Sequence, residues 1–562
     1  MIKISAQLIL MLFTFFSFTQ TAIADIPEIE TIARIKNFGV SSDTTAVKVE
    51  RGPYLQIATP TSVVVKWRTN VPTESVVNYG LELGLLSDKE SNFNEMTEHE
   101  VSLTGLKPNT KYYFNIGNEA GVLSESSTGD MYVITAPKVG TKQFVRAWIL
   151  GDAGTANNNQ RNVRDAYYKY VDTESANTGK TDMMLFLGDN AYRTGTDVEY
   201  QNAFFDIYHN MLKKSVAWSC LGNHDGYSAD SATQSGPYYD IFSFPTGGQA
   251  GGTPSGTEAY YSFDYANIHF IILDSHHSNR EVGGAMYNWA QTDIQNTTQD
   301  WIVTLFHHPV YTKGSHDSDT EDRLIEMREN FMPMMENNGV DLILNGHSHS
   351  YERSYFLNGH YGFSNTFNPN EIKNGGHTVG ISGKGDGKTD GDGIYQKTNE
   401  ATAGAVYITT GSAGKTSGGD LNHKAMSVSL NELGSCVMEV EDDGQGGQNL
   451  TVKFIRENDE VDDYFTINKK GISQKVESIK KAEKEITVKK NAIALFDADK
   501  DVVYIKVNPG ERLKKVKIYN NLGKRVIKSK KSNIDVSGLQ KGMYVVEVKT
   551  DKSTYTETII IE

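Results

Sequence analysis

The sequence predicts a multidomain chain with a β-sandwich, a larger α/β domain of packed sheets and a small C-terminal β-sandwich. Three observations predict it. At 562 residues the chain exceeds one hydrophobic core and suggests three or four domains. Over residues 50–137, and again over 491–562, apolar and polar residues alternate with the period of half-buried strands. Over 143–457 short unbroken apolar runs are separated by amphipathic stretches of helical period.

Met1–Ala24 reads as a secretory signal, with Lys3 as its positive start, Leu8 to Phe18 as its apolar centre and Ala22-Ile23-Ala24 as its cleavage site. The apolar run is short for a bilayer span, so cleavage is expected rather than anchoring. A polar leader follows to about residue 48. No later stretch is long and apolar enough to cross a bilayer, so a mature protein that is secreted or at the cell surface is expected. In the first β region Val63, Val65 and Trp67 alternate with Val64, Lys66 and Arg68, and Tyr112, Phe114 and Ile116 repeat the pattern. Leu106-Lys107-Pro108-Asn109-Thr110-Lys111-Tyr112 places a turn and a Tyr ahead of that strand. This resembles the tyrosine corner of fibronectin type III sandwiches.

In the central region Val145 to Leu150, Met183 to Leu187, Val216 to Leu221, Ile268 to Leu273, Ile302 to Phe306 and Leu342 to Leu344 are candidate buried strands. Asp197 to Leu212 and Glu321 to Glu336 are amphipathic helices. Residues 363–420, rich in Gly, Asn, Thr and Asp, read as long surface loops. The lysine-rich stretch 468–490 reads as a solvated linker. In 491–562, strands at Val502 to Ile505, Val516 to Tyr519, Tyr544 to Val548 and Thr558 to Ile561 are set off by turns at Asn520-Asn521-Leu522-Gly523 and Lys541-Gly542.

The net charge of −15 argues against a nucleic-acid scaffold as partner, since little would neutralise phosphates along a strand. A small anionic substrate remains compatible, because a bound cation pair would dominate the local field. Export permits one disulfide between Cys220 and Cys436; two buried free thiols fit the sequence equally well. Neither cysteine has the short-range partner of a metal site.

Five short motifs fall in order just after candidate strands: Gly151-Asp152-Ala153-Gly154, Gly188-Asp189-Asn190-Ala191-Tyr192, Gly222-Asn223-His224-Asp225, His307-His308-Pro309 and Gly346-His347-Ser348-His349. One Gly-Asp pair alone is a turn, and one His alone is a core or surface group. Five at strand ends converge on one rim, where open α/β sheets bind ligands. They supply donors for two adjacent metal ions, a device for hydrolysing phosphate esters. Asp189 is the candidate bridge. Asp152, Tyr192 and His349 would complete a hard site favouring a ferric ion, and Asn223, His307 and His347 a softer site for Zn, Mn or Fe(II). His276, His277 and His308 fit no motif and read as structural or rim residues. His269 in a strand, and His360 and His423 in loops, read as ordinary satisfied groups, while Cys220 is expected to pack behind the site.

The ordered set resembles the purple acid phosphatases, a branch of the calcineurin-like metallophosphoesterases. Other branches carry Asp-x-His at the first motif and lack the Tyr; here Gly154 replaces that His and Tyr192 is present. Arg51-Gly52-Pro53-Tyr54-Leu55-Gln56 resembles the opening of the β-sandwich that precedes the catalytic domain in plant-type members, and Tyr351-Glu352-Arg353 also matches. The resemblance implies two mixed sheets flanked by helices, a ferric ion beside a divalent ion, and in-line attack on phosphomonoesters by a metal-bound hydroxide. It also implies catalytic roles for His224 and His316 as acidic groups near the leaving oxygen. Plant-type members have two consecutive His where this chain has His316-Asp317, so leaving-group handling is expected to differ; Asp225 stands where Glu is common. Alternatives are a phosphodiesterase or nucleotide-hydrolysing member and, less favoured, a non-catalytic surface-binding protein.

The stretches Val516 to Lys524 and Ile534 to Tyr544 resemble type IX secretion sorting domains, which implies the secretion machinery as a partner; Asn508-Pro509-Gly510 stands where that family has Pro-Asn-Pro. A carbohydrate- or surface-binding module is the alternative.

Overall fold

The computed structural model describes residues 46–173, 179–367, 378–379, 386–397, 404–469, 492–497 and 500–561, less 508–510, 521–523, 540–541 and 553. The expected signal at 1–24, residues 25–45 of the leader, residues 470–490 of the expected linker, Asn508-Pro509-Gly510, and Asn521-Leu522-Gly523 and Lys541 of the expected turns lie outside them.

In the N-terminal domain six strands share unbroken hydrogen bonding: Val49–Gln56, Val63–Gly80, Asp88–Leu103, Lys111–Asn118, Gly121–Ser124 and Tyr132–Ile134. The 18-residue strand Val63–Gly80 pairs with Val49–Gln56 through its first half and with Lys111–Asn118 through its second. Register shifts between Arg68 and Ser75 let it bend midway. Tyr112, 7% exposed, accepts the Lys107 N–H through its hydroxyl at 3.0 Å, closing the turn before its strand.

Two seven-stranded mixed sheets build the central domain. One runs Tyr261–Tyr265, Ile268–Ile272, Trp301–Leu305, Leu342–Asn345, Val406–Thr410, Tyr351–Ser354 and Met426–Leu430; its four strands from Ile268–Ile272 to Val406–Thr410 are parallel. The other runs Tyr395–Gln396, Val461–Lys469, Gln448–Arg456, Gly434–Asp442, Val145–Leu150, Met183–Phe186 and Val216–Ser219, the last three parallel. Strand periodicity divides the core. Phe270, Ile272, Val303, Leu305, Leu342, Leu344, Val406 and Ile408 belong to the cluster shared with Val145–Leu150 and Met183–Phe186. Their alternates Ile271, Ile302, Ile343 and Tyr407 instead pack with Met286 and Trp289 of helix Ala285–Asn296 and with Met327, Phe331 and Met335 of the helical stretch 322–337. Such runs are continuously apolar because both faces are covered.

Two sequence expectations are corrected here. Within 363–420, read as surface loop, Val406–Thr410 is a fully buried strand at the centre of a sheet. Its apolar run is only a few residues long and is framed by Gly and Thr, which gave it the composition of a loop. The central domain also continues past 457, because Val461–Lys469 pairs with Gln448–Arg456 from Gln448 to Ile455. Residues 468 and 469 therefore belong to a strand and not to the linker. Cys220 and Cys436 are both buried and free, so of the two readings it is the free thiols that hold.

The C-terminal domain has a three-stranded sheet (Ala492–Asp497, Val502–Val507, Asn533–Asp535) and a four-stranded sheet (Arg525–Ser529, Leu513–Asn520, Gly542–Thr550, Thr554–Ile561). Val503 and Ile534 of the first pack with Val516, Ile518, Val546 and Val548 of the second.

Candidate metal centre

Each motif residue sits just beyond the carboxyl end of a parallel strand. Asp152 follows Val145–Leu150, Asp189 follows Met183–Phe186 and Asn223 follows Val216–Ser219, all in one sheet; His307 follows Trp301–Leu305 and His347 follows Leu342–Asn345 in the other. The site thus forms where the two sheets present their carboxyl ends together. Asp152, Asp189 and His347 have φ of 55°, 53° and 67°, a left-handed conformation uncommon for non-glycine residues and more accessible to Asp and His than to most. The glycines in the motifs are required by close approach. A Cβ at Gly188 would lie 2.7 Å from His307 Nδ1 and 2.8 Å from the Gly222 Cα. A Cβ at Gly154 would lie 2.4 Å from the Ala191 nitrogen, so this backbone has no room for a His at that position.

The seven residues expected to bind metal come together. The Tyr192 hydroxyl lies 3.0 Å from Asp152 Oδ1, 3.1 Å from Asp189 Oδ2 and 3.2 Å from His349 Nε2. His307 Nε2 lies 2.9 Å from Asn223 Oδ1 and 3.4 Å from Asp189 Oδ1. His347 Nδ1 lies 2.9 Å from the same Asn223 oxygen and 3.2 Å from His307 Nε2. Asp189 touches both groups. One ligand atom each from Asp152, Asp189 and His307 falls within 4.8 Å of the others.

Hydrogen bonding within this cluster does not close. Tyr192 has one proton for three neighbours. His307 Nδ1 donates to the Leu187 carbonyl at 2.8 Å, so its Nε2 is a lone pair facing the Asn223 oxygen. Among the described residues no Lys or Arg pairs with Asp152 or Asp189; their ion-pair neighbours are His224, His307 and His349. Burial, with the charges of Asp152 and Asp225, pushes the Asp189 carboxyl well above its usual range, and burial with Asp152 and Asp189 pushes the Tyr192 hydroxyl up. Burial lowers His307, and lowers His347 to about 3, so both rings are neutral lone-pair donors at neutral pH. Converging acceptors that lack a protein cation are the donor set a metal pair fits.

Both expected acid groups border the cluster. His224 Nδ1 bonds the Arg193 carbonyl at 2.6 Å, its ring meets Tyr192 edge-on at 4.6 Å, and its Nε2 is 3.9 Å from Asp189 Oδ2. His316 stacks on His347 at 3.7 Å, with Nδ1 3.0 Å from both oxygens of Glu321. Asp317 turns away to pair with Lys313.

Three supporting residues escaped the sequence reading. Glu321 also lies 3.6 Å from His347 Nε2; the His-x4-Glu spacing at a helix start was its one available signal. Ser417 holds His349 Nδ1 at 2.9 Å from a loop that no motif marked. Asp225, noted without a role, is fully buried and accepts from the Asn190 backbone (3.0 Å), the Asn190 amide (3.1 Å), the Gly222 backbone (3.0 Å) and the Tyr200 hydroxyl (2.7 Å). It therefore ties the second motif to the third. Of the remaining histidines, His308 is buried beside His347 at 4.5 Å and bonds Ser275, while His277 is exposed.

Residues 145–351 match the family model for calcineurin-like phosphoesterases, the class that the fold and the donor cluster define. Residues 51–131 match the purple acid phosphatase N-terminal domain, and 499–562 match a secretion system C-terminal sorting domain, which indicates export or cell-surface attachment. The chain thus carries a match to the purple acid phosphatase N-terminal domain directly ahead of its match to the phosphoesterase domain, and it is similar to purple acid phosphatases in both. Among relatives, purple acid phosphatase 1 of Ipomoea batatas is 26% identical over 308 residues, covering 52% of this chain and 58% of that protein. Acid phosphatase type 7 of Homo sapiens is 25% identical over 325 residues, covering 52% and 68%. The chain spans about 60% of the length of the plant relatives it matches first. The solved structure of purple acid phosphatase PPD1 from yellow lupin (Lupinus luteus) seeds shares the fold, with a TM-score of 0.56, 17% identity and 75% of each chain covered. Among the described residues no helix is long and apolar enough to cross a membrane.

Proposed function

We propose that the protein is an exported acid phosphatase with a binuclear metal centre, acting on small phosphomonoesters. One observation carries the reading: the Tyr192 hydroxyl stands within 3.2 Å of Asp152, Asp189 and His349, a convergence that its single proton cannot satisfy. Asp152, Asp189, Tyr192 and His349 would hold a ferric ion, and Asp189, Asn223, His307 and His347 a divalent one, Zn, Mn or Fe. When bound, such a pair supplies positive charge to the phosphoryl oxygens and acidifies a water.

The chain's own groups do the rest. The Leu187 carbonyl fixes the His307 ring so that Nε2 faces the site, as a carbonyl partner does for a ligand imidazole. His224, anchored at Nδ1 by the Arg193 carbonyl, keeps Nε2 beside the cluster, where it can hand a proton to the leaving oxygen. His316 is oriented by Glu321 at Nδ1 and stacks on His347, which leaves its other nitrogen to serve as a second proton donor. Asp317 pairs with Lys313, so His316 is the one imidazole that this pair of neighbours brings to the site. The C-terminal sorting domain would engage the secretion machinery.

Purified protein is assayed on p-nitrophenyl phosphate and on its bis ester, with metals counted per chain. Two metals and a strong preference for the monoester are expected. Preference for the bis ester would replace the monoesterase reading with a diesterase, and hydrolysis of neither by metal-loaded protein would remove the enzyme.

A further inference from the structure

The N-terminal sheet contributes no residue to the donor cluster, yet it grips the segment that follows Tyr192. Arg51 on Val49–Gln56 is 2% exposed and lies over the Phe205 ring at 4.4 Å. Its Nε donates to Gln201 Oε1 at 2.9 Å, Nη1 to Asp197 Oδ1 at 2.9 Å and Nη2 to the Asp197 carbonyl at 3.3 Å. Arg68 on Val63–Gly80 binds the same carboxylate in bidentate fashion, Nη1 to Oδ2 at 2.6 Å and Nη2 to Oδ1 at 2.8 Å. Two guanidinium groups from one domain thus converge on one carboxylate of the other, the planar geometry that arginine forms best. The pair draws the Asp197 carboxyl down to about 2, chiefly through the Arg68 hydrogen bonds, so it is ionised across the working range.

Asp197 begins the helical stretch 197–212, and what lies just before it is the site. Glu199 accepts the backbone N–H groups of Arg193 (2.5 Å), Thr194 (3.1 Å) and Thr196 (3.0 Å), and the hydroxyls of both threonines. Residues 193–196 are thereby drawn onto the helix start. The Arg193 carbonyl in that loop is what holds His224 Nδ1 at 2.6 Å, and Tyr200, one turn on, donates to Asp225 at 2.7 Å. One eight-residue segment is clamped by the N-terminal domain on one side and carries the supports of His224 and Asp225 on the other.

We propose that the N-terminal domain is a positioning element for catalysis: the Arg51–Arg68–Asp197 clamp fixes loop 193–196 and so sets the place of His224. This rests on the phosphatase reading above, with His224 beside the leaving oxygen. A misplacement of about 1 Å in such a group costs up to about 100-fold in rate.

The test is a double-mutant cycle read beside backbone hydrogen exchange, both on the full-length protein. Asp197→Ala should lower kcat by about 10- to 100-fold on an alkyl phosphate, whose leaving group needs a proton, with KM nearly unchanged. In a His224→Asn background the same substitution should cost nothing further. The amides of Arg193, Thr194 and Thr196 should exchange faster in Asp197→Ala, while those of Val145–Leu150 and Met183–Phe186 hold their protection. Losses that multiply across the cycle, or unchanged exchange at 193–196, overturn the proposal. Should Asp197→Ala fold poorly, Arg68→Gln, which leaves the Arg51 contacts, gives the same comparison. If the wild-type protein hydrolyses no phosphoester, the phosphatase reading fails by itself and the exchange measurement still decides the clamp.

Discussion

His269 and His307 stand at opposite ends of neighbouring parallel strands in one sheet, and both are buried. His269 lies near the amino end of Ile268–Ile272, with Nδ1 2.7 Å from Asp264 and Nε2 2.9 Å from Asp293. Burial lowers its pKa, but hydrogen bonds and charge from the two carboxylates more than reverse this and raise it from 6.5 to about 9. His307, beyond the carboxyl end of the next strand, gives its one proton to a backbone carbonyl and points a lone pair at other acceptors. The first ring is fully satisfied as a cation within the protein. The second is satisfied only if a cation comes from outside. The contrast separates a structural histidine from a ligand by its proton inventory, where burial alone does not.

The sharpest break of that contrast is at the group shared by both halves of the cluster. Asp189→Asn is expected to leave the fold intact by circular dichroism while kcat falls roughly 10³-fold or more, the scale of losing a preorganised electrostatic contact at a reacting centre. Near-normal activity would mean that Asp189 bridges nothing. At the other end, His269→Asn removes one member of a buried ionic triad and leaves two carboxylates facing each other. Denaturant unfolding should show a loss of about 3–5 kcal/mol, with activity retained at low temperature. Equal losses of activity and stability in both variants would erase the distinction.

Asp225→Asn probes the layer beneath the cluster. Two of its four donors would face an amide NH2 that cannot accept, so metal affinity or kcat should fall by about 10–100-fold, with a stability loss of about 1–3 kcal/mol. The smallest effect is the pH dependence of stability. The folded protein holds the His269 proton more tightly than the unfolded chain, because the folded pKa is the higher one. This contribution is complete below pH 6.5 and disappears as pH rises through 9, so wild-type protein should lose stability over that window and His269→Asn should not. Chemical denaturation at several pH values reads the difference directly.

The positions of Asp152, Asp189, His307 and His347 were legible in the sequence because each follows a short apolar run and a tight turn. A strand that ends in a turn places the next side chain on the rim whatever the rest of the chain does. Asp225 was visible but mute, since its four donors come from three separate segments. Glu321 is near His316 in the chain, but the spacing alone does not mark it as a partner, while Ser417 reaches His349 from a segment no local pattern connects to it. Val406–Thr410 was hidden for a related reason: burial on both faces removes the alternation that marks a strand, and its flanks have loop composition. The N-terminal β pattern was readable, but nothing in the residues around Arg51 and Arg68 pointed to a carboxylate well over a hundred positions away.

The most direct test is the visible spectrum and metal content of the wild-type protein beside Tyr192→Phe. Two metals per wild-type chain are expected, with a tyrosinate-to-ferric absorption band that Tyr192→Phe abolishes while keeping its fold. A colourless wild-type protein with full activity, or a band that survives in Tyr192→Phe, would contradict the assignment of a ferric ion to the Asp152–Asp189–Tyr192–His349 half of the site.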